Sequence, residues 1–242
     1  MKSERNDDIY EPGNVARLFD SMSKTYGLTN YLSSFGFTQR WRNQCISYLP
    51  AHDSLIYGYD LMSGMGELNN SLKKILKPGA KIRAIDISAA MNHEAQKRKD
   101  KYHFTVETSQ ADILQEPLPA ASADFVVSSF GLKTFHPDQL AKLAVVTASL
   151  LKPAGVFSFV EVSTPGAKWL QVPFMFYLKK LIPIIGRICK GNSSDYRMLG
   201  VYCQNFQNAS GFAAMLQAQG LEAHYKPLFG GCASVVFGRR PL

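Results

Sequence analysis

From about residue 54 to residue 162 the chain alternates short runs rich in β-branched and aromatic residues with longer stretches of helical period. No other feature narrows its fold as much. Residues 54–60, 81–86, 103–108, 123–129 and 155–162 have the length and composition of strands. Residues 66–76, 89–99 and 138–151 lie between them and are long enough for helices. Strands joined through helices run parallel, because a crossover returns the chain to the same end of the sheet whereas a tight turn cannot. Lys-Pro-Gly at 77–79 and Lys-Pro-Ala-Gly at 152–155 end two of the helices just before strands, as proline and glycine do.

The C-terminal fifth changes character. A helical stretch at 212–219 precedes two strand-like runs, 221–228 and 232–238, joined only through Phe229-Gly230-Gly231. Two strands that close form a hairpin, so the last strand is antiparallel to its neighbour. Ahead of the alternating region, 15–26 and 30–48 read as aromatic-rich helices, with Asn30 as a cap for the second. At 242 residues the chain suffices for one well-buried α/β domain and is short for two.

In an open parallel sheet, ligands bind beyond the carboxyl ends of the strands, where the strand order reverses. The first expected strand runs into Asp60-Leu61-Met62-Ser63-Gly64-Met65-Gly66-Glu67, and Gly64 and Gly66 there let backbone approach a ligand closely. Alone, this could be a plain strand-to-helix turn. Asp86 ends the second strand in Ala84-Ile85-Asp86-Ile87-Ser88, a place suited to holding two ribose hydroxyls. Its plainer alternative is a cap for the next helix. After the third strand, Asp112 could accept from an adenine amino group while Ile113 packs on the ring, and Ser129 ends the fourth strand. Each piece is weak, but their order at successive strand ends is hard to reach by accident. The expected cofactor contacts are therefore Asp60, Met62, Ser63, Gly64, Gly66, Asp86, Ile87, Asp112, Ile113 and Ser129.

Charge and composition exclude more than they select. A formal charge of +8 favours anionic partners without choosing among them, and no run interleaves basic and aromatic residues as nucleic-acid binding would need. Cys45, Cys189, Cys203 and Cys232 are far apart, with no CxxC pair. That spacing predicts no metal site and reduced thiols in a cytoplasmic protein. No apolar leader is visible, and no greasy run reaches the ~20 residues that span a bilayer.

Several short motifs recur at the spacings of one family's signatures. Near the N-terminus they are Phe19-Asp20-Ser21, Tyr26, Leu28, Asn30, Ser34-Phe35-Gly36 and Trp41. Farther along they are Ser129-Phe130-Gly131-Leu132, Leu151-Lys152-Pro153 with Gly155, and Glu161-Val162-Ser163 before Pro165. Tyr196-Arg197 with Leu199, and Gly230-Gly231, complete the set. On these residues the chain resembles, from about 15 to 239, the ubiquinone/menaquinone biosynthesis methyltransferases. The resemblance implies a Rossmann-like class I methyltransferase fold with a mostly parallel seven-stranded sheet and a C-terminal antiparallel hairpin strand. It also implies S-adenosyl-L-methionine as cofactor and C-methylation of a quinone, quinol or similar lipid-soluble aromatic.

The chain also departs from that family. Tyr26-Gly27-Leu28-Thr29-Asn30 stands for Tyr-Asp-x-Met-Asn, Thr38 for a histidine, Met62 for a small residue, and Lys133-Thr134 for Arg-Asn. These changes keep open amino transfer to a quinone, O- or N-methylation of a small metabolite, and a non-catalytic scaffold role.

C-methylation of a phenolic ring needs the hydroxyl ionised or bonded to a base. The candidates are His136, Tyr26 and Tyr196 as base, with Lys133 or Arg197 stabilising the phenolate. Against them, His136 could simply begin a helix before Pro137, the tyrosines could be core packing, and Lys133 could be solvated. The stretch 169–190 is greasy on more than one face. Leu170, Phe174, Tyr177, Leu181, Ile185 and Ile188 form one stripe, while Trp169, Val172 and Phe176 lie opposite, beside Lys179 and Lys180. Pro173 and Pro183 are expected to kink it. Such an element suits a lid over a lipid-like substrate or a peripheral contact with the inner face of a membrane, or else a core helix or homodimer interface. The expected organisation is a helical substrate cap over 1–50, a cofactor core over 51–165, an apolar lid over 166–210, and a closing helix and hairpin over 211–242.

Overall fold

In the computed structural model the described residues are 8–50 and 55–242, with the side chains at 26–28 and 30–33 excepted. Among the described residues seven strands form one sheet: β1 (Tyr57–Leu61), β2 (Lys81–Asp86), β3 (Thr105–Gln110), β4 (Ala123–Ser129), β5 (Leu151–Val162), β6 (Glu222–Leu228) and β7 (Ala233–Arg239). Their order is β3-β2-β1-β4-β5-β7-β6. The β1 to β5 neighbours pair in parallel, and β7 runs antiparallel between β5 and β6. This is the mostly parallel sheet with a reversed final strand that the alternating pattern predicts.

Helices cover both faces. In chain order they are α1 (Pro12–Ser33), α2 (Phe37–Ile46), α3 (Asn69–Leu72), α4 (Ala89–Gln96), α5 (Pro137–Leu150), α6 (Lys168–Phe176), α7 (Ile182–Ile188), α8 (Ser193–Phe206) and α9 (Ser210–Ala218). Alternate residues of each strand serve opposite faces. Tyr59, Leu61, Val126, Phe157 and Phe159 pack with Leu143 of α5 and Phe212 and Leu216 of α9. Ile82, Ala84, Phe125 and Val127 pack on the other face with Ile46 of α2 and Leu72 of α3. Among the described residues no helix is long and apolar enough to cross a membrane.

Three expectations shift. The N-terminal helices do not divide near residue 28, and residue 30 lies within α1 rather than at the start of a second helix. The α1 backbone continues to Ser33, and the break falls at Phe35 (φ 49°) and Gly36 (φ 77°). An interior Gly27 costs a helix only about 1 kcal/mol, whereas a left-handed pair ends it. The helix expected at 66–76 shrinks to the four residues of α3. On either side of it the chain turns through i→i−3 bonds such as Asn69 N to Gly66 O and Lys74 N to Ser71 O, a tighter winding used in short pieces. Finally, β5 begins at Leu151 rather than 155. Leu151 pairs with Ala123, and the register then shifts before Phe125 meets Val156.

Two contacts hold the carboxyl ends of the central strands. Lys133, just past β4, is buried with Glu161 of β5, and its Nζ donates to Glu161 Oε1 at 2.9 Å. The Lys133 backbone N–H donates to Glu161 Oε2 at 3.1 Å, and Val162 N donates to Oε1 at 2.7 Å. The second contact joins the turns after β1 and β4. A Cβ on Gly131 would lie 2.5 Å from Met62 Cβ, so the turns touch only because residue 131 has no side chain.

Both contacts are testable. Lys133→Met strands a buried carboxylate and is expected to cost about 3–5 kcal/mol in urea unfolding. Adding Glu161→Gln removes the stranded charge and should recover part of that loss, the rest remaining because its NH2 then meets one of the two backbone N–H donors. Gly131→Ala is expected to cost about 1–3 kcal/mol from overpacking. Because Gly131 has an ordinary negative φ of −102°, Met62→Gly in the same chain, which removes the clashing Cβ, should largely cancel the cost. A purely backbone effect at 131 would persist in that double variant.

Candidate active site

Reading the sheet from its centre, β1 leads to β2 and β3 on one side and β4 lies on the other. The loops after β1 and β4 therefore diverge, and a cleft opens between them. Residues far apart in the sequence line it. Each of the four strands contributes to its wall from the carboxyl end. Met62, Ser63 and Gly64 come from after β1, and Ile85, Asp86 and Ile87 from around the end of β2. Ala111, Asp112 and Ile113 come from after β3, and Ser129, Phe130 and Gly131 from the end of β4.

Asp86 organises the floor. Its Oδ2 accepts from Gly64 N at 2.7 Å and its Oδ1 from Ser88 N at 2.8 Å. One carboxylate thus ties the glycine turn to the start of α4. The helix-cap alternative for Asp86 does not hold, because Ser88 caps α4, its Oγ accepting from Met91 N at 3.1 Å. Burial pushes the Asp86 carboxyl up to about 6, against the pull of the two backbone N–H groups.

Beneath the turn lies Asp60, fully buried, with neither oxygen hydrogen-bonded, and neither it nor Gly66, both expected as cofactor contacts, lines the cleft. Burial, with Glu67 and Asp86 nearby, holds its carboxyl well above the ordinary carboxylate range. Gly66, with φ 75°, turns the chain above it and leaves only 3.0 Å between a would-be Cβ and Asn69 Nδ2. Asp112 lines the cleft but also closes its own turn, its Oδ1 accepting from Leu114 N at 3.0 Å. Ile113 is buried beside it.

The opposite wall comes from the N-terminal helices. Arg42 of α2 is buried in the cleft wall, with Nε donating to Ser129 Oγ at 3.3 Å. Its guanidinium lies 5.0 Å from the Phe130 ring and 3.9 Å from Glu67 Oε1. Asp20 of α1 accepts from Ser88 Oγ at 2.6 Å and from Ala90 N at 3.0 Å. It sits at the positive end of α4, where an anion is favoured, and pins α1 over the cleft. Tyr10, Val15 and Phe19 complete an apolar roof.

The expected catalytic side chains are not gathered here. Lys133 is committed to Glu161 and does not line the cleft. His136 caps α5, its Nδ1 accepting from Asp138 N at 3.4 Å, with its ring edge-on to Tyr10. Tyr196 is buried against Gly186 and Gly191, its hydroxyl 2.9 Å from Thr25 Oγ1. Arg197 is exposed on α8, and the Tyr26 side chain lies outside the described residues. The segment 166–190 contributes nothing to the cleft wall. Arg42, Glu67 and Tyr10 were missed from sequence. For Arg42 a signal existed, a cation between Trp41 and the apolar Cys45-Ile46 on the inner face of a helix.

Comparison with known proteins agrees with this geometry. The model of the ubiE/COQ5 methyltransferase family matches residues 4–240. A demethylmenaquinone methyltransferase of Thermus thermophilus is 28% identical over 93% of this chain and 100% of its own. The ubiquinone/menaquinone biosynthesis C-methyltransferase UbiE of Rickettsia bellii is 30% identical over 91% of this chain and 90% of its own. Human N-acetylserotonin methyltransferase, solved with S-adenosylmethionine, superposes with a TM-score of 0.60 at 16% identity. That match covers 93% of this chain and 58% of the human one, and it speaks to the fold alone. With its family signature spanning nearly the whole sequence, this chain is an S-adenosylmethionine-dependent methyltransferase and belongs to the ubiE/COQ5 methyltransferase family.

Proposed function

We propose that the chain transfers the methyl group of S-adenosylmethionine to a ring carbon of a demethylated quinol or a closely similar lipid-soluble aromatic. The observation that carries this reading is the near full-length similarity to demethylmenaquinone methyltransferases. The cleft supports it with side chains suited to each part of the cofactor. Asp86 is placed to accept from ribose hydroxyls. Ile87 and Ile113 offer apolar faces to a purine, with Asp112 at its edge. Ser63 and Gly64 bring backbone to the centre. Arg42 in the cleft wall suits the carboxylate of a methionyl tail and Glu67 its ammonium, with the unpartnered Asp60 carboxyl buried behind them. Those two buried oxygens fit a group that arrives with its own donor.

Bound there, the cofactor supplies an electrophilic methyl group on a sulfonium. The chain's part is to orient the acceptor ring and exclude water, effects that can be worth about 7–11 kcal/mol. Phe19, Phe130 and Phe135 line the cleft and suit a flat apolar ring. Among the described residues, the candidate bases stand behind this wall rather than in it, so positioning carries the larger share of the rate.

Incubation with S-adenosylmethionine and a demethylated quinol should give a product heavier by one CH2. Replacement of a ring substituent by an amino group would refute the reading. Asp86 adds a pH signature. Ribose hydroxyls need an ionised acceptor, so affinity for S-adenosylhomocysteine is expected to be flat above about pH 7. It should fall by up to about tenfold per pH unit below the Asp86 value of about 6. The sign for folding is opposite. A raised folded-state value means this group adds stability to the ligand-free protein as pH falls through about 6, and loses it as pH rises. Calorimetric titration from about pH 5 to 8 checks the first effect, and Asp86→Asn should weaken binding and flatten the profile.

A further inference from the structure

The segment after β5 leaves a row of large apolar side chains facing solvent. Trp169, Val172, Phe176, Leu181, Ile184 and Ile188 are all exposed, from 42% at Leu181 to 78% at Trp169. They share one face only because of a local irregularity. Between α6 and α7 the residues Tyr177–Leu181 form a π-turn, whose i→i+5 bonding lengthens one turn of helix. The five-residue step from Phe176 to Leu181 therefore stays in line with the steps of three and four around it. The same turn moves the inward stripe onto Leu178, Pro183 and Gly186, which are buried.

Charge says what covers this face. No acidic residue occurs between Glu161 and Asp195, while Lys168, Lys179, Lys180, Arg187 and Lys190 all fall in that stretch. A second copy of the chain would press these cations against one another. No residue of this segment lines the cleft, so the cleft wall does not cover the stripe. Apolar side chains flanked by cations, with no anions, fit the headgroup boundary of an anionic bilayer. We propose that this face docks the enzyme peripherally on an anionic lipid surface, with the stripe from Trp169 to Ile188 inserted among the lipids and the lysines and Arg187 on their headgroups. The proposal makes no assumption about the methyl acceptor.

The chain's own tryptophans provide the probe. Of the two, Trp41 is 6% exposed and Trp169 is 78% exposed, so a change of emission on vesicles reports the stripe. With vesicles of phosphatidylglycerol and phosphatidylcholine, the protein is expected to co-sediment, and its emission to shift to the blue. Vesicles of phosphatidylcholine alone, or high salt, should weaken binding about tenfold or more. Phe176→Ser with Ile184→Ser, and separately Lys180→Glu with Arg187→Glu, should each reduce partition about tenfold or more. Both variants should retain wild-type affinity for S-adenosylhomocysteine, which separates loss of docking from loss of fold or cofactor site. The proposal is overturned by absence of binding to the anionic vesicles, by equal binding to neutral ones, or by unchanged partition of either variant. It is overturned too if the wild type is a dimer that Phe176→Ser with Ile184→Ser splits while vesicles bind neither form.

Discussion

Parallel pairing of β1 to β5 is the constraint from which the rest of this molecule follows. Parallel strands deliver all their carboxyl ends to one edge of the sheet, and the reversal of order between β1 and β4 keeps the loops there from filling the gap. Four strand ends then need cross-ties that hold the loops apart without closing the space. Asp86 supplies one through Gly64 and Ser88, and Lys133 with Glu161 supplies another. The cleft is a consequence of topology, held open by a few polar contacts.

Those contacts explain why the site carries acids in so apolar a setting. Asp60 and Asp86 are carboxylates whose burial works against their ionisation, and Asp60 has no hydrogen-bond partner. Arg42 stands across from them and is itself buried in the wall. A buried acid without a partner is costly, so the ligand-free protein carries a deficit that a ligand rich in donors and positive charge can relieve. The departures from the family pattern take on physical meaning in the same setting. Met62 has a left-handed backbone, φ 53°, yet its side chain fills the space left by Gly131. Lys133 replaces an arginine and serves as a strut between β4 and β5.

The segment from Trp169 to Ile188 follows a different logic. A helix that buries its apolar face against the domain needs one stripe. This one has two, and a single π-turn keeps the outer one in line from α6 into α7. The outer stripe adds nothing to the cleft, and every charged side chain within its own stretch of chain is cationic.

By itself the sequence determined roughly where the strands fall along the chain, that most run parallel and that the last is reversed, since period, length and the Pro-Gly stops are local properties. It also determined which strand ends bear glycine and acid, from Asp60-Leu61-Met62-Ser63-Gly64 to Ala111-Asp112-Ile113. The stripe on α6 was legible up to Tyr177 and lost after it, because a π-turn leaves no mark in a helical projection and moves Leu181 and Ile188 to the outside. Only tertiary structure decided the partners of polar groups. Lys133 as a strut, Tyr196 as core packing, Asp20 on α4 and Arg42 over the cleft each depend on a residue distant in the chain. Whether a charge is spent on structure or faces a ligand depends on which strand ends and helices are brought beside it, and no local pattern encodes that.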